Sequence, residues 1–155
     1  RCWGSEPSLL TLKSNGPPDT LTGVRSGGKF DFSGLLGTSG VSGSTAVDVT
    51  IATAGLDLSA GQNIGVRYGS FSLSSSNIML ATSNTVAGEV AVANDGKVVV
   101  FSFSGGSTGN SANGAIYYVE DTTAGAGQSW SVTLIGTMSG TSATIAQIAS
   151  SSVFL

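Results

Sequence analysis

Histidine is absent from this chain of 155 residues, and cysteine occurs once, at Cys2. Without histidine no histidine-based catalytic triad can form, and without further cysteines the usual zinc-binding sets are excluded as well. The lone cysteine also excludes an intrachain disulfide. Charged residues make up only 10% of the chain, well below the average for soluble domains. The side chains that most often move protons or bind transition metals are therefore scarce.

Basic residues are few and isolated along the chain. The six lysines and arginines are never adjacent, and the formal net charge is −3. Nucleic-acid binding relies on a basic patch that displaces counterions, so contact with DNA or RNA is not expected. Membrane insertion is not expected either, because no apolar run reaches about 18 residues.

A glycine-rich run at 23–30, GVRSGGKF, has the spacing of a phosphate-binding loop. The serine or threonine that should follow Lys29 is replaced by Phe30, and the residues after it are a poor helix. We therefore predict no nucleotide and no other cofactor.

Alternation of apolar and polar residues is the dominant pattern in the chain. Phe30 and Phe32 share one phase, and Val47 and Val49 alternate with Asp48 in the next apolar segment. Such period-two alternation, interrupted by short loops rich in glycine and serine, is typical of β-strands. The pattern predicts an all-β fold: an antiparallel β-sandwich of Greek-key or jelly-roll type with about ten short strands.

The run KVVVFSF at 97–103 is apolar in both phases, which predicts a central strand covered on both faces. Asp95 and Gly96 directly precede it, and this pair is typical of a tight hairpin turn. We therefore predict a hairpin that joins this strand to the one containing Val90 and Val92.

The first 18 residues differ from the rest, because Pro17 and Pro18 separate the strand-like segment 8–13 from the later strands. One interpretation is a first strand of the domain followed by a linker. The other is an assembly arm, with Leu9, Leu10 and Leu12 added to the sheet of a neighbouring subunit. We accordingly divide the chain into an N-terminal arm and linker, 1–18, and one β-sandwich domain, 19–155.

Acidic residues offer little that is specific. Glu120 and Asp121 are the one adjacent acidic pair, and they are weak candidates for a calcium site, since calcium takes clustered oxygen ligands. No spacing singles out a pair of carboxylates for glycoside hydrolysis. We expect no enzymatic activity.

Sugar binding is the alternative with candidate residues. Sugars stack on exposed aromatic rings, and Tyr117 and Tyr118 are successive strand residues that face opposite sides. One of the two is therefore expected in the core and the other pointing outward. Together with Arg67 and Tyr68, they are the predicted ligand contacts.

The composition favours a non-catalytic structural or assembly domain, because a surface poor in charge tends to associate. We expect a viral capsid surface domain or a pilus-like filament subunit, with copies of itself or a larger protein assembly as partner. The alternative is a carbohydrate- or receptor-binding β-sandwich module, with a glycan or host receptor as partner. Both place the chain outside the cell, on a cell surface or on a virion surface.

Overall fold

The computed structural model describes residues 9–22, 29–37, 47–50, 54–58, 62–69, 72–80, 86–93, 95–105, 111–123 and 128–141. Cys2 lies outside these residues. The described part contains a four-residue helix, α1 (Ser33–Leu36), a turn of 3₁₀ helix (Ser75–Asn77) and eleven strands: β1 (Leu9–Thr11), β2 (Asp19–Thr22), β3 (Lys29–Asp31), β4 (Val47–Thr50), β5 (Leu56–Leu58), β6 (Ile64–Tyr68), β7 (Ile78–Leu80), β8 (Val90–Val92), β9 (Lys97–Phe103), β10 (Ser111–Asp121) and β11 (Trp130–Thr141).

These strands form three sheets. The largest has the order β2-β11-β10-β9-β6-β4, a second has the order β5-β8-β7, and β1 pairs with β3. The all-β class is therefore confirmed. The predicted antiparallel pairing is wrong for most of the described ladders: only β9-β10 and β10-β11 are antiparallel, and the other six are parallel. The Greek-key or jelly-roll order is not established and stays a prediction.

Strand β9 lies inside the largest sheet with both faces covered, as predicted. Val98 and Val100 pack in one core, whereas Val99 and Phe101 pack in another. The predicted hairpin with β8 is wrong, because β8 pairs with β5 and β7 in a different sheet. The turn itself is where the sequence placed it, but it carries the chain from one layer to the next.

That turn shows the geometry that its residues favour. The Gly96 N–H donates to the Ala93 carbonyl oxygen at 3.0 Å, and Asp95 adopts a left-handed φ of 55°. Aspartate tolerates this conformation better than most residues. The local turn signal is therefore correct, although the pairing inferred from it is not.

The first core lies between the β1-β3 pair with α1 and one face of the largest sheet. Its centre is aromatic: the rings of Phe30 and Phe32 meet Phe101 edge to face, at centroid distances of 5.5 and 6.0 Å. Phe103 stacks on Tyr68 at 5.6 Å in the same core. All five side chains are buried.

The second core lies between the β5-β8-β7 sheet and the opposite face of the largest sheet. Leu56 and Leu58 from β5 meet Val98 and Val100 from β9 there. The two sheets approach closely at Gly65, where a Cβ atom would lie 2.5 Å from Leu56 Cδ2. A glycine at this position lets the layers pack without displacing Leu56.

A β-bulge in β11 changes which core its side chains enter. The register passes from Ile116 opposite Gly136 to Tyr117 opposite Leu134, which leaves Ile135 as the extra residue. Before the bulge, Leu134 packs against the second core, and after it Met138 packs in the first. One strand thus contributes to both cores.

Candidate functional site

The four predicted ligand contacts lie on two opposite faces of the largest sheet. Tyr117 packs in the second core, and Arg67 lies on the same face of β6 as Gly65, which faces that core; Tyr68 and Tyr118 pack in the first core. All are buried, with 2% of Arg67, 3% of Tyr68, 9% of Tyr117 and 4% of Tyr118 exposed. The expectation that Tyr117 or Tyr118 points outward is wrong, because a layer covers each face of β10. The structure therefore does not bring these four residues together at one surface.

Arg67 anchors a buried polar cluster on the face of the second core. Its Nε donates to Ser102 Oγ at 2.8 Å, and its Nη2 donates to the Ser72 carbonyl oxygen at 2.5 Å. Nη1 faces the Gly88 carbonyl oxygen at 3.5 Å. Burial lowers the pKa of Arg67, while the nearby Tyr117 acts in the opposite direction. An arginine stays protonated in proteins, so the cation is held here by neutral oxygen atoms.

The Arg67 cluster joins segments that are distant in sequence. Ser102 belongs to the neighbouring strand β9, whereas Ser72 lies in the connection from β6 to β7 and Gly88 lies in the connection from β7 to β8. One guanidinium group thus fastens both connections to the largest sheet. The sequence carried a signal for this burial, since Arg67 interrupts a strand, IGVRY, that has no other hydrophilic side chain except the Tyr68 hydroxyl.

Tyr118 and Glu120 form a second polar contact, at the edge of the first core. The Tyr118 hydroxyl donates to Glu120 Oε2 at 2.8 Å and lies 3.1 Å from the Leu35 carbonyl oxygen. Burial raises the pKa of Tyr118, and the Glu120 carboxylate raises it further. Tyr118 therefore keeps its proton at neutral pH and connects β10 to α1.

Asp121 closes the loop between β10 and β11. Its Oδ1 accepts hydrogen bonds from the Thr123 N–H at 3.0 Å, the Thr123 hydroxyl at 2.9 Å and the Ser129 N–H at 3.2 Å. The Thr123 backbone N–H is the main cause of the lowered pKa of Asp121. This pattern is typical of an aspartate that stabilises a turn.

Glu120 and Asp121 are not brought together as calcium ligands. As successive strand residues they point to opposite faces, and each carboxylate accepts hydrogen bonds from the protein. Within the part of the chain that the structure describes, no group of three or more aspartate, glutamate, histidine or cysteine residues is arranged to hold a metal ion.

Replacing Asp121 with asparagine is expected to flatten the pH dependence of stability in acid. Because the pKa of Asp121 is lowered on folding, its ionised form stabilises the fold above the unfolded-state pKa of about 3.9. That contribution is lost as the pH falls through the lower, folded-state pKa. Urea unfolding of the wild type and Asp121→Asn at a series of pH values below 5 measures this difference. If the free energy of unfolding falls equally steeply with decreasing pH in the two proteins, the prediction is contradicted.

The segment predicted as an assembly arm packs against its own chain. Leu9 and Leu10 lie in β1, which pairs in parallel with β3, and Leu12 is 2% exposed in the first core. This placement corresponds to a first strand followed by a linker. Pairing of the same segment with a neighbouring subunit, and hence the division at residue 18, stays a prediction.

The ends of the largest sheet are the candidate sites of assembly. Among the described strands, β2 and β4 form its two edges. β2 runs parallel to β11, β11 and β9 are both antiparallel to β10, and β6 and β4 run parallel to β9. Both edge strands consequently point in the same direction.

No protein-family model, curated protein or solved structure matches this chain. No helix among the residues with described positions is long and apolar enough to cross a membrane.

Proposed function

We propose that this chain is a non-catalytic structural domain that assembles with copies of itself on the surface of a particle or cell. A viral capsid surface domain or a pilus-like filament subunit has this role, which places the chain outside the cell or on a virion. The observation that carries the proposal is the common direction of the edge strands β2 and β4. Face-to-face packing of the sheets supports a sandwich-type architecture for this domain.

Edge strands of a common direction suit head-to-tail assembly. A second copy displaced along the sheet without reversal brings its β2 beside β4 of the first, and the two strands run parallel, as the β2-β11, β9-β6 and β6-β4 pairs do within one chain. Such a contact joins two different surfaces, so each copy keeps one unused edge and the assembly continues. Few charges are present to oppose the approach of like copies.

A lysine on an edge strand is expected to reduce association. Thr20 is exposed on β2, and a lysine at this position places a charge where the neighbouring strand should dock. Ser139 on β11 is also exposed but belongs to an interior strand, so Ser139→Lys is the matched control. Light scattering after gel filtration over a range of concentrations measures the mass of each protein.

We expect multimers of the wild type and of Ser139→Lys, and a shift toward the monomer for Thr20→Lys. Circular dichroism checks that all three proteins are folded. A wild-type chain that stays monomeric at every concentration contradicts the proposed function. Equal association of the two lysine variants contradicts the edge as the site of assembly.

The alternative, a carbohydrate- or receptor-binding module, is less well supported by the predicted contacts. Arg67, Tyr68, Tyr117 and Tyr118 are all buried, so their polar and aromatic groups are not presented to a glycan. This alternative requires a different surface of the molecule.

A further inference from the structure

A cavity of about 350 Å³ lies between the end of β1 and the helix α1. Lys13, Ser14 and Asn15 line one side, and Gly34 and Leu35 line the other. Its volume falls in the range of about 300–1,000 Å³ in which proteins bind small molecules. It is separate from the sheet edges β2 and β4 and from the Arg67 cluster.

The two walls of the cavity differ in chemistry. The ammonium of Lys13 and the amide of Asn15 are on exposed residues, and Ser14 adds a half-buried hydroxyl. Leu35 on the opposite wall is half-buried and packs against the first core. A ligand that fits both walls has hydrogen-bonding groups on one side and an apolar surface on the other.

The charge that faces the cavity is positive. Among the described residues that line the cavity, Lys13 is the one that is ionisable. The carboxylates near α1 are engaged elsewhere: Asp31 Oδ1 accepts hydrogen bonds from the backbone N–H and hydroxyl of Ser33, and Glu120 accepts one from Tyr118. The cavity therefore favours an anion over a cation.

We propose that this cavity binds a small acidic sugar, that is, a sugar ring carrying a carboxylate. Lys13 pairs with the carboxylate, since a charge-assisted hydrogen bond is among the strongest polar contacts available. Ser14 and Asn15 hydrogen-bond the ring hydroxyls, because each side chain both donates and accepts. Leu35 packs against the apolar face of the ring. This assignment does not depend on self-assembly.

The backbone at Gly34 offers a way to close the cavity without disturbing the fold. Gly34 lines the cavity, and a Cβ atom built on it meets no described atom within 4 Å, so a leucine at this position adds bulk at the cavity wall. Gly16 is equally open but does not line the cavity. Gly34→Leu and Gly16→Leu thus form a matched pair that adds the same side chain inside and outside the proposed site.

Saturation-transfer NMR on the full chain tests the proposal, because it observes the ligand and works for monomers and assemblies alike. The probes are sodium glucuronate, glucose and sodium acetate. We expect glucuronate to bind about tenfold or more tightly than either glucose or acetate, because only glucuronate has both the carboxylate that pairs with Lys13 and the ring that contacts Ser14, Asn15 and Leu35. We expect Lys13→Gln to weaken glucuronate binding about tenfold or more, and Lys97→Gln, at another exposed lysine, to leave it unchanged.

Gly34→Leu is expected to abolish the glucuronate signal, and Gly16→Leu to retain it. Equal affinity for acetate and glucuronate contradicts the assignment of a sugar as the ligand, since the carboxylate alone then explains binding. Unchanged glucuronate binding by Lys13→Gln or Gly34→Leu overturns the site, as does the absence of any signal from glucuronate. Because none of these readouts measures the mass of the assembly, they fail or succeed independently of the proposed function.

Discussion

Replacing Phe101 with alanine is expected to lower the free energy of unfolding by about 3–5 kcal/mol, the usual cost of truncating a buried phenylalanine. Phe101 is 0% exposed and contacts the rings of Phe30, Phe32 and Phe103. Alanine removes these contacts and leaves a cavity between the β1-β3 pair and the largest sheet. Neighbouring strands on both sides of β9 limit how far the core can collapse into it.

Urea unfolding followed by circular dichroism measures the change for Phe101→Ala. The more conservative Phe101→Leu is expected to cost less, because it keeps much of the buried volume. Val86→Ala is the control, since Val86 is 57% exposed and a substitution there should change stability by less than about 0.5 kcal/mol. A loss of less than about 1 kcal/mol for Phe101→Ala contradicts the first core as a main source of stability.

Replacing Arg67 with alanine is expected to lower the free energy of unfolding by about 2–4 kcal/mol, from the loss of several charge-assisted hydrogen bonds made by one buried side chain. Ser102 Oγ and the Ser72 carbonyl oxygen lose their hydrogen bonds from Arg67, and the contact with Gly88 is lost as well. The β6-β7 and β7-β8 connections are then released from β6. We expect local opening of these connections to increase along with the loss of global stability.

Two further variants separate the parts of this effect. Arg67→Met keeps an apolar side chain of similar length and tests packing, whereas Arg67→Lys keeps the charge but lacks the planar, forked donor group. We expect both to be intermediate between the wild type and Arg67→Ala in urea unfolding. Hydrogen exchange should report faster exchange of amides near Ser72 and Gly88 in all three. Wild-type stability of Arg67→Met contradicts a stabilising role for the guanidinium group.

The sequence predicted which segments are strands better than it predicted their partners. The apolar run at 97–103 was correctly predicted as a central strand. Its odd and even positions are both apolar, so both faces of the strand must be buried, and this pattern can be recognised in the run itself. The hairpin with β8 failed because a turn between Ala93 and Gly96 directs the chain but does not fix the sheet that receives it. Parallel and antiparallel strands also share the same period of two, so alternation could not reveal the parallel ladders.

The candidate sites were harder to predict for a related reason. The alternation of Tyr117 and Tyr118 correctly placed them on opposite faces, but exposure depends on layers contributed by distant segments. Arg67 was interpreted as a surface residue because its neutral partners at Ser72 and Gly88 are backbone groups with no signal in the sequence. Likewise, the cavity joins Lys13 to Gly34 only after β1 and β3 have paired.

The ladder between β2 and β11 has a consequence for the timing of folding. These strands come from near the two ends of the described chain, so β2 leaves the ribosome long before its partner has been made. At synthesis rates of about 5–20 residues per second, this delay is on the order of ten seconds. Throughout that interval β2 cannot occupy its native place beside β11. The edge proposed for assembly is therefore complete only after synthesis has passed β11.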